Sequence, residues 1–218
     1  MRILALGDCN TMGIKEQYHN SYPEKLAKAL GAEVVNLGYT MATTREGVQL
    51  FNTVKTQNFD IVLISFGLTD SWETFKGAPY VLYYPDNIYR LILRKIVKKY
   101  KKIGNILGFK KLFGKQPVVP QEEYLANISY IIQSLPNSII ILLDTLPKKE
   151  EARNVSIKNF NELLNTFSSL ENVHYLKYFD DFYHQPRLFL DKTHLNDLGY
   201  ELINNKLLSL LKANNAIS

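Results

Sequence analysis

Two continuous apolar runs constrain the fold of this chain more than any other feature: Asp60-Ile61-Val62-Leu63-Ile64-Ser65-Phe66 and Ser138-Ile139-Ile140-Ile141-Leu142-Leu143. A half-solvated strand alternates apolar and polar residues. These runs have no polar face, so they belong in the middle of a sheet covered on both sides. Residues 2–6, 33–37 and 172–177 read as three further strands around 60–66 and 138–144. Helical periodicity recurs around 21–30, 44–57, 121–134, 156–169 and 196–213. Gly31 is placed to end the first helix, Thr43 or Thr44 to open the second, and Asn196 to open the last. Strands alternating with helices predict a three-layer α/β/α fold with a parallel sheet. A length of 218 residues fits a single domain, 1–218.

In open sheets of this kind, ligands bind beyond the carboxyl ends of the strands. Gly7-Asp8-Cys9 follows the first strand, the loop around Gly38 the second, and Gly67-Leu68-Thr69-Asp70 the third. All three therefore open on one edge. Near the C-terminus, Asp191-Lys192-Thr193-His194-Leu195-Asn196-Asp197-Leu198-Gly199-Tyr200 sets a carboxylate three residues before an imidazole, just ahead of a helix start. That arrangement suits a general base whose ring is oriented, and whose imidazolium is stabilised, by the aspartate. Its nucleophile would be Cys9, the one cysteine of the chain. A helix starting soon after Asn10 and an ion pair with His194 would both lower a thiol below its free value of about 8.5. The other reading of Cys9 is a small, inert, buried residue at a strand end. Asp8 and Asp70, beside strand-to-helix turns, read as caps that pin their loops.

The paired motifs resemble the SGNH (GDSL) hydrolase superfamily, in order along the chain from Gly7 to Tyr200. The resemblance implies a flavodoxin-like sheet of five parallel strands and a triad of Cys9, His194 and Asp191, with cysteine in place of the family's serine. It also implies an oxyanion hole formed by the Cys9 amide, a loop amide and an asparagine. By spacing from Asn36, the loop glycine of the family falls at Met41, while Gly38 matches an earlier glycine. The family's Gly-x-Asn-Asp block stands here as Gly67-Leu68-Thr69-Asp70, so Thr69 replaces the asparagine. The activity implied is an esterase, hydrolase or acyltransferase acting on a small acyl ester. An acetyl group on a carbohydrate or polysaccharide precursor is the substrate expected. The reading from a different class is a non-catalytic binding or accessory protein in polysaccharide assembly, at the membrane surface in one form, that keeps the fold and its cleft.

One cysteine cannot make an internal disulfide, and the N-terminus runs straight into a strand, which together point to a cytoplasmic location. His19, His174 and His184 lack ligand spacing, so no metal and no cofactor are expected. Residues 72–120 are too long for a simple connection and predict a helical insertion after strand 3, with a basic helix from about 86 to 103. Residues 90–115 hold ten of the 26 basic residues and no acidic one, whereas the other 16 face 21 acidic residues. Apolar residues recur at helical spacing through this segment. Residues 88–115 thus suit an anionic membrane surface, at the inner membrane face, or a polyanion. The alternative is an ordinary surface helix with its apolar side on the core. No recognition motif accompanies the charge, so nucleic acid is not an expected partner.

Overall fold

The computed structural model describes residues 1–217. Five parallel strands form the central sheet: β1 (Arg2–Gly7), β2 (Glu33–Gly38), β3 (Ile61–Ser65), β6 (Ile139–Leu143) and β7 (Val173–Leu176), in the order β2-β1-β3-β6-β7. Every strand lies within about one residue of its sequence-based bounds. The order is the flavodoxin-like one, with the topological switch at β1 and β3. Period-two alternation sorts the strand side chains onto two faces. Leu4, Leu6, Val62, Ile64, Ile140 and Leu142 enter one core cluster. Ile3, Ala5, Ile61, Leu63, Ile141 and Leu143 enter the other. The first face is covered by α3 (Thr44–Asn52), α6 (Gln121–Gln133) and α7 (Glu151–Asn165), and the second by α2 (Tyr22–Leu30) and α9 (Asp197–Ala213). Two short helices, α1 (Cys9–Met12) and α8 (Phe179–Phe182), sit in strand-to-helix turns.

The expected helix ends hold at Gly31, which is left-handed with φ 60°, and at Asn196, whose side chain accepts the Gly199 N–H at 3.1 Å. At the start of α3, Thr43 and Glu46 form a full capping box. Two boundaries move. The second helix stops at Asn52 rather than 57, and just past its end the Thr53 hydroxyl donates to the Leu50 carbonyl at 2.7 Å. The helix expected at 156–169 starts at Glu151, and its last turn tightens to 3-10 geometry over Thr166–Ser169.

After β3 the chain leaves the sheet. A two-stranded antiparallel pair, β4 (Glu73–Phe75) with β5 (Lys115–Pro117), closes the base of the insertion. Between them run α4 (Ile88–Ile106), somewhat longer and later than the expected 86–103, and α5 (Phe109–Leu112). Fully buried Glu46 anchors the segment leading into α4, accepting from the Tyr80 hydroxyl at 3.0 Å and the Tyr83 N–H at 2.7 Å. The apolar side of α4 does not lie on the core: only Gly104 of that helix is buried. No helix among the described residues is long and apolar enough to cross a membrane.

Candidate active site

The nucleophile position is set by β1 running directly into a turn. Asp8 is extended and caps α1, its carboxylate accepting the Asn10 N–H at 2.8 Å. Cys9 is therefore the first helical residue, at the carboxyl end of a central strand. It is only 6% exposed. The expected lowering of its thiol pKa is reversed. Burial pushes the thiol well up, the neighbouring Asp8 carboxylate adds to the rise, and Lys148 opposes it. The helix cannot compensate, because four residues sum few peptide dipoles.

Lys148 had no signal in its spacing, yet it belongs to this cluster. It follows β6, is buried, and is fixed through its backbone by Asn154, which accepts from its N–H at 2.7 Å and donates to its carbonyl at 2.9 Å. Burial brings its ammonium down to about 8, against the pull of Asp8 and Cys9. Burial also raises the Asp8 carboxyl, while the Asn10 N–H, Lys148 and His194 draw it back. The available clue was its place past the carboxyl end of β6, since that strand opens on the same edge as β1.

On the other side, Asp191 organises the histidine through both its oxygens. Oδ1 accepts the Thr193 N–H at 2.7 Å and the His194 N–H at 2.9 Å, and Oδ2 lies 2.8 Å from His194 Nδ1. A carboxylate at Nδ1 fixes the tautomer with its proton there, which leaves Nε2 as the basic nitrogen. Burial acts to raise the Asp191 carboxyl, but the ring and the two amides outweigh it and hold it at about 2.

Asn10 joins the two halves. Its side-chain amide donates to the Thr193 carbonyl at 3.2 Å, and its Oδ1 accepts the Leu195 N–H at 3.1 Å. One carboxamide thus brackets His194 from the residue next to Cys9, across more than 180 positions of sequence. No hydrogen bond between the Cys9 thiol and the His194 ring is present among the described residues.

The loop after β2 is drawn to the same place. The Tyr39 backbone N–H donates to the Gly7 carbonyl at 3.0 Å, and Gly38 packs so closely on α1 that a Cβ there would stand 2.2 Å from the Met12 nitrogen. Met41 has φ +62°, a left-handed conformation that favours glycine. Neither the Cys9 nor the Met41 N–H has a backbone partner among the described residues. Left-handed backbone costs a non-glycine residue ~1–2 kcal/mol, partly offset by the entropy a glycine loses on folding. Met41→Gly is accordingly expected to stabilise the fold by up to ~1 kcal/mol, read as a melting temperature higher by about 2–4 °C. An unchanged or lower melting temperature would show that the side chain contributes more than its backbone costs.

In the third loop, Gly67 has φ +139° and passes so close to Thr145 that a Cβ would meet its hydroxyl. Thr69 is buried, and its hydroxyl makes no hydrogen bond among the described residues. Asp70 pins the loop to α3: Oδ1 accepts both the N–H and the hydroxyl of Thr44 at 2.8 Å, while buried Oδ2 has no partner among the described residues. Burial raises its carboxyl to about 7 despite those two bonds. A carboxyl raised above its unfolded value of about 3.9 stabilises fully below that pH and loses its contribution as pH rises to the folded value. Stability should therefore fall between about pH 4 and 7 on account of this group. Asp70→Asn keeps the acceptor and should flatten that fall in melts across the range; a slope unchanged in the variant would assign it elsewhere.

Residues 5–202 match the GDSL-like lipase/acylhydrolase family. The chain belongs to that family. The GDSL-like fold is also seen in solved structures of low sequence identity. A lipase/acylhydrolase from Enterococcus faecalis is 16% identical, with a TM-score of 0.67 over 98% of this chain and 96% of the other. Axe2, an acetylxylan esterase from Geobacillus stearothermophilus, is 17% identical, with a TM-score of 0.64 over 95% and 92%. Esterase EstA from Pseudoalteromonas sp. is 16% identical, with a TM-score of 0.64 over 99% of each chain. No curated protein matches this GDSL-like chain in sequence.

Proposed function

We propose that the chain is an esterase of small acyl esters, acetyl groups on carbohydrate first among them, with Cys9 as nucleophile, His194 as base and Asp191 as its orienter. The observation that carries this reading is the Asn10 carboxamide, which clamps the His194 turn to the residue beside Cys9. The acetyl and carbohydrate parts draw on the likeness to an acetylxylan esterase. Because burial keeps the Cys9 thiol protonated at neutral pH, Cys9 works as a serine would rather than as a preformed thiolate. His194 Nε2 takes the thiol proton as Sγ attacks the carbonyl carbon and the C=O π pair moves onto oxygen. The N–H groups of Cys9 and Met41, with the Thr69 hydroxyl, receive that oxyanion. Its collapse expels the alkoxide, which takes the proton from His194. Water, or an acceptor hydroxyl in the transferase variant, then cleaves the thioester with His194 again as base.

The test is turnover of p-nitrophenyl acetate and release of acetate from acetylated xylo-oligosaccharides, with the acetyl-thioester on Cys9 trapped by mass spectrometry. Folded protein that turns over neither ester would favour the second reading, a binding protein that has kept the fold. The deep burial of Cys9 is the observation that speaks for that alternative.

A further inference from the structure

The insertion helix α4 is mounted with its polarity reversed. Arg90, Arg94, Val97, Lys101 and Gly104, which share one face by spacing, are the residues turned toward the body. Arg90 donates to the Tyr84 carbonyl at 2.7 Å, and Arg94 donates to the Leu82 carbonyl at 3.1 Å, pairs with Asp86 and stacks over Tyr83. Gly104 lets Phe75 and Phe109 approach so closely that a Cβ would clash with both. These contacts fix the rotation of the helix, and the opposite face is apolar. Ile88, Ile92, Ile96 and Ile103 stand 63%, 49%, 58% and 46% exposed, with Tyr89 and Tyr100 beside them. Lys95, Lys98 and Lys102 flank that stripe and Lys99 lies within it, all four exposed and without an ion pair among the described residues.

We infer that α4 and α5 dock this protein on an anionic lipid surface. An exposed isoleucine stripe edged by lysines, with interfacial tyrosines, matches a helix lying in the headgroup plane. Charge complementarity selects the occupant. Lys95, Lys98, Lys99 and Lys102 give the outward side of α4 four unpaired cations and no anion among the described residues, so a second copy on the same face would oppose like charges, whereas anionic headgroups attract them. Past the helix, Leu112 and Phe113 of the α5 region are exposed as well, beside Lys110 and Lys111. The site lies close by: Tyr84, just before α4, packs edge-on against Tyr39 of the loop that carries Met41, with ring centroids 5.5 Å apart.

The full chain should sediment with vesicles of mixed phosphatidylglycerol and phosphatidylcholine, remain in solution with pure phosphatidylcholine, and be released by salt. Ile92→Ser with Ile96→Ser, and separately Lys98→Glu with Lys102→Glu, should each weaken partitioning by about tenfold or more. Both variants lie on the outward face, so melting temperature and turnover of a soluble ester should be unchanged, which separates lost docking from lost folding. Failure to sediment, equal sedimentation on neutral vesicles, or insensitivity to either double variant would overturn the inference. So would a concentration-dependent dimer of the unaltered chain that Ile92→Ser with Ile96→Ser dissolves, since that would give the face to a second copy.

Discussion

Replacing Cys9 or His194 by alanine is expected to lower kcat on p-nitrophenyl acetate by about 10⁴-fold or more, with both folds intact. The two losses should not multiply in the double variant, because each removes the same proton-coupled attack. Asp191→Asn should cost a comparable ~10⁴, since an amide at that position no longer fixes the Nδ1–H tautomer. The informative member of the series is Cys9→Ser. An enzyme built on a thiolate–imidazolium pair loses its nucleophile with that change, because His cannot hold serine ionised. Here the thiol is already pushed up by burial and must be deprotonated during attack, so a hydroxyl asks the same of His194. Cys9→Ser is therefore expected to retain activity well above Cys9→Ala. For the same reason alkylation of Cys9 at neutral pH should be slow and should accelerate as pH rises into the alkaline range. Rapid alkylation at neutral pH, together with a Cys9→Ser variant as inactive as Cys9→Ala, would refute the serine-like mechanism.

What could be read from the sequence, and what could not, divides along the range of the interactions. The strands were legible to within a residue because five-residue apolar runs such as Ile139–Leu143 have only one stable place, a sheet interior. Caps at Gly31, Thr43 and Asn196 were legible because a cap is decided within four residues. Asp191 and His194 belong to the same class, a contact at i and i+3. The start of α7 at Glu151 was not, since Lys149-Glu150-Glu151 carries no apolar periodicity. The amphipathicity of α4 was visible, but not which side faces inward. Arginine bonds to the carbonyls of Leu82 and Tyr84 decided that, and they have no signature in sequence. The thiol shift was misread for a related reason. A residue at a helix start invites a dipole argument, but burial at the end of a central strand outweighs four peptide units. Lys148 and Asn10 act across separations of more than a hundred residues, so only the folded chain shows them beside Cys9 and His194.

Asn10→Ala should reduce kcat by about 10²-fold while leaving KM little changed, which makes Asn10 the most consequential residue outside the triad. Its side chain makes two bonds that alanine cannot, and the two are unequal. The Leu195 N–H is buried, and without Oδ1 it loses its acceptor at a cost of ~1–3 kcal/mol. The Thr193 carbonyl bond is partly exposed, so water can replace it at little cost. Asn10→Asp separates the two: it still accepts from Leu195 N–H but cannot donate to Thr193, and it adds an anion beside Asp8. Stability and activity should accordingly fall in both, because either loss frees the His194 turn from α1 and the second variant also buries a carboxylate beside Asp8. The measured pair is therefore melting temperature against kcat. If Asn10→Ala melts lower but turns over at the unaltered rate, the carboxamide is a structural tie alone, and His194 reaches its working position without it.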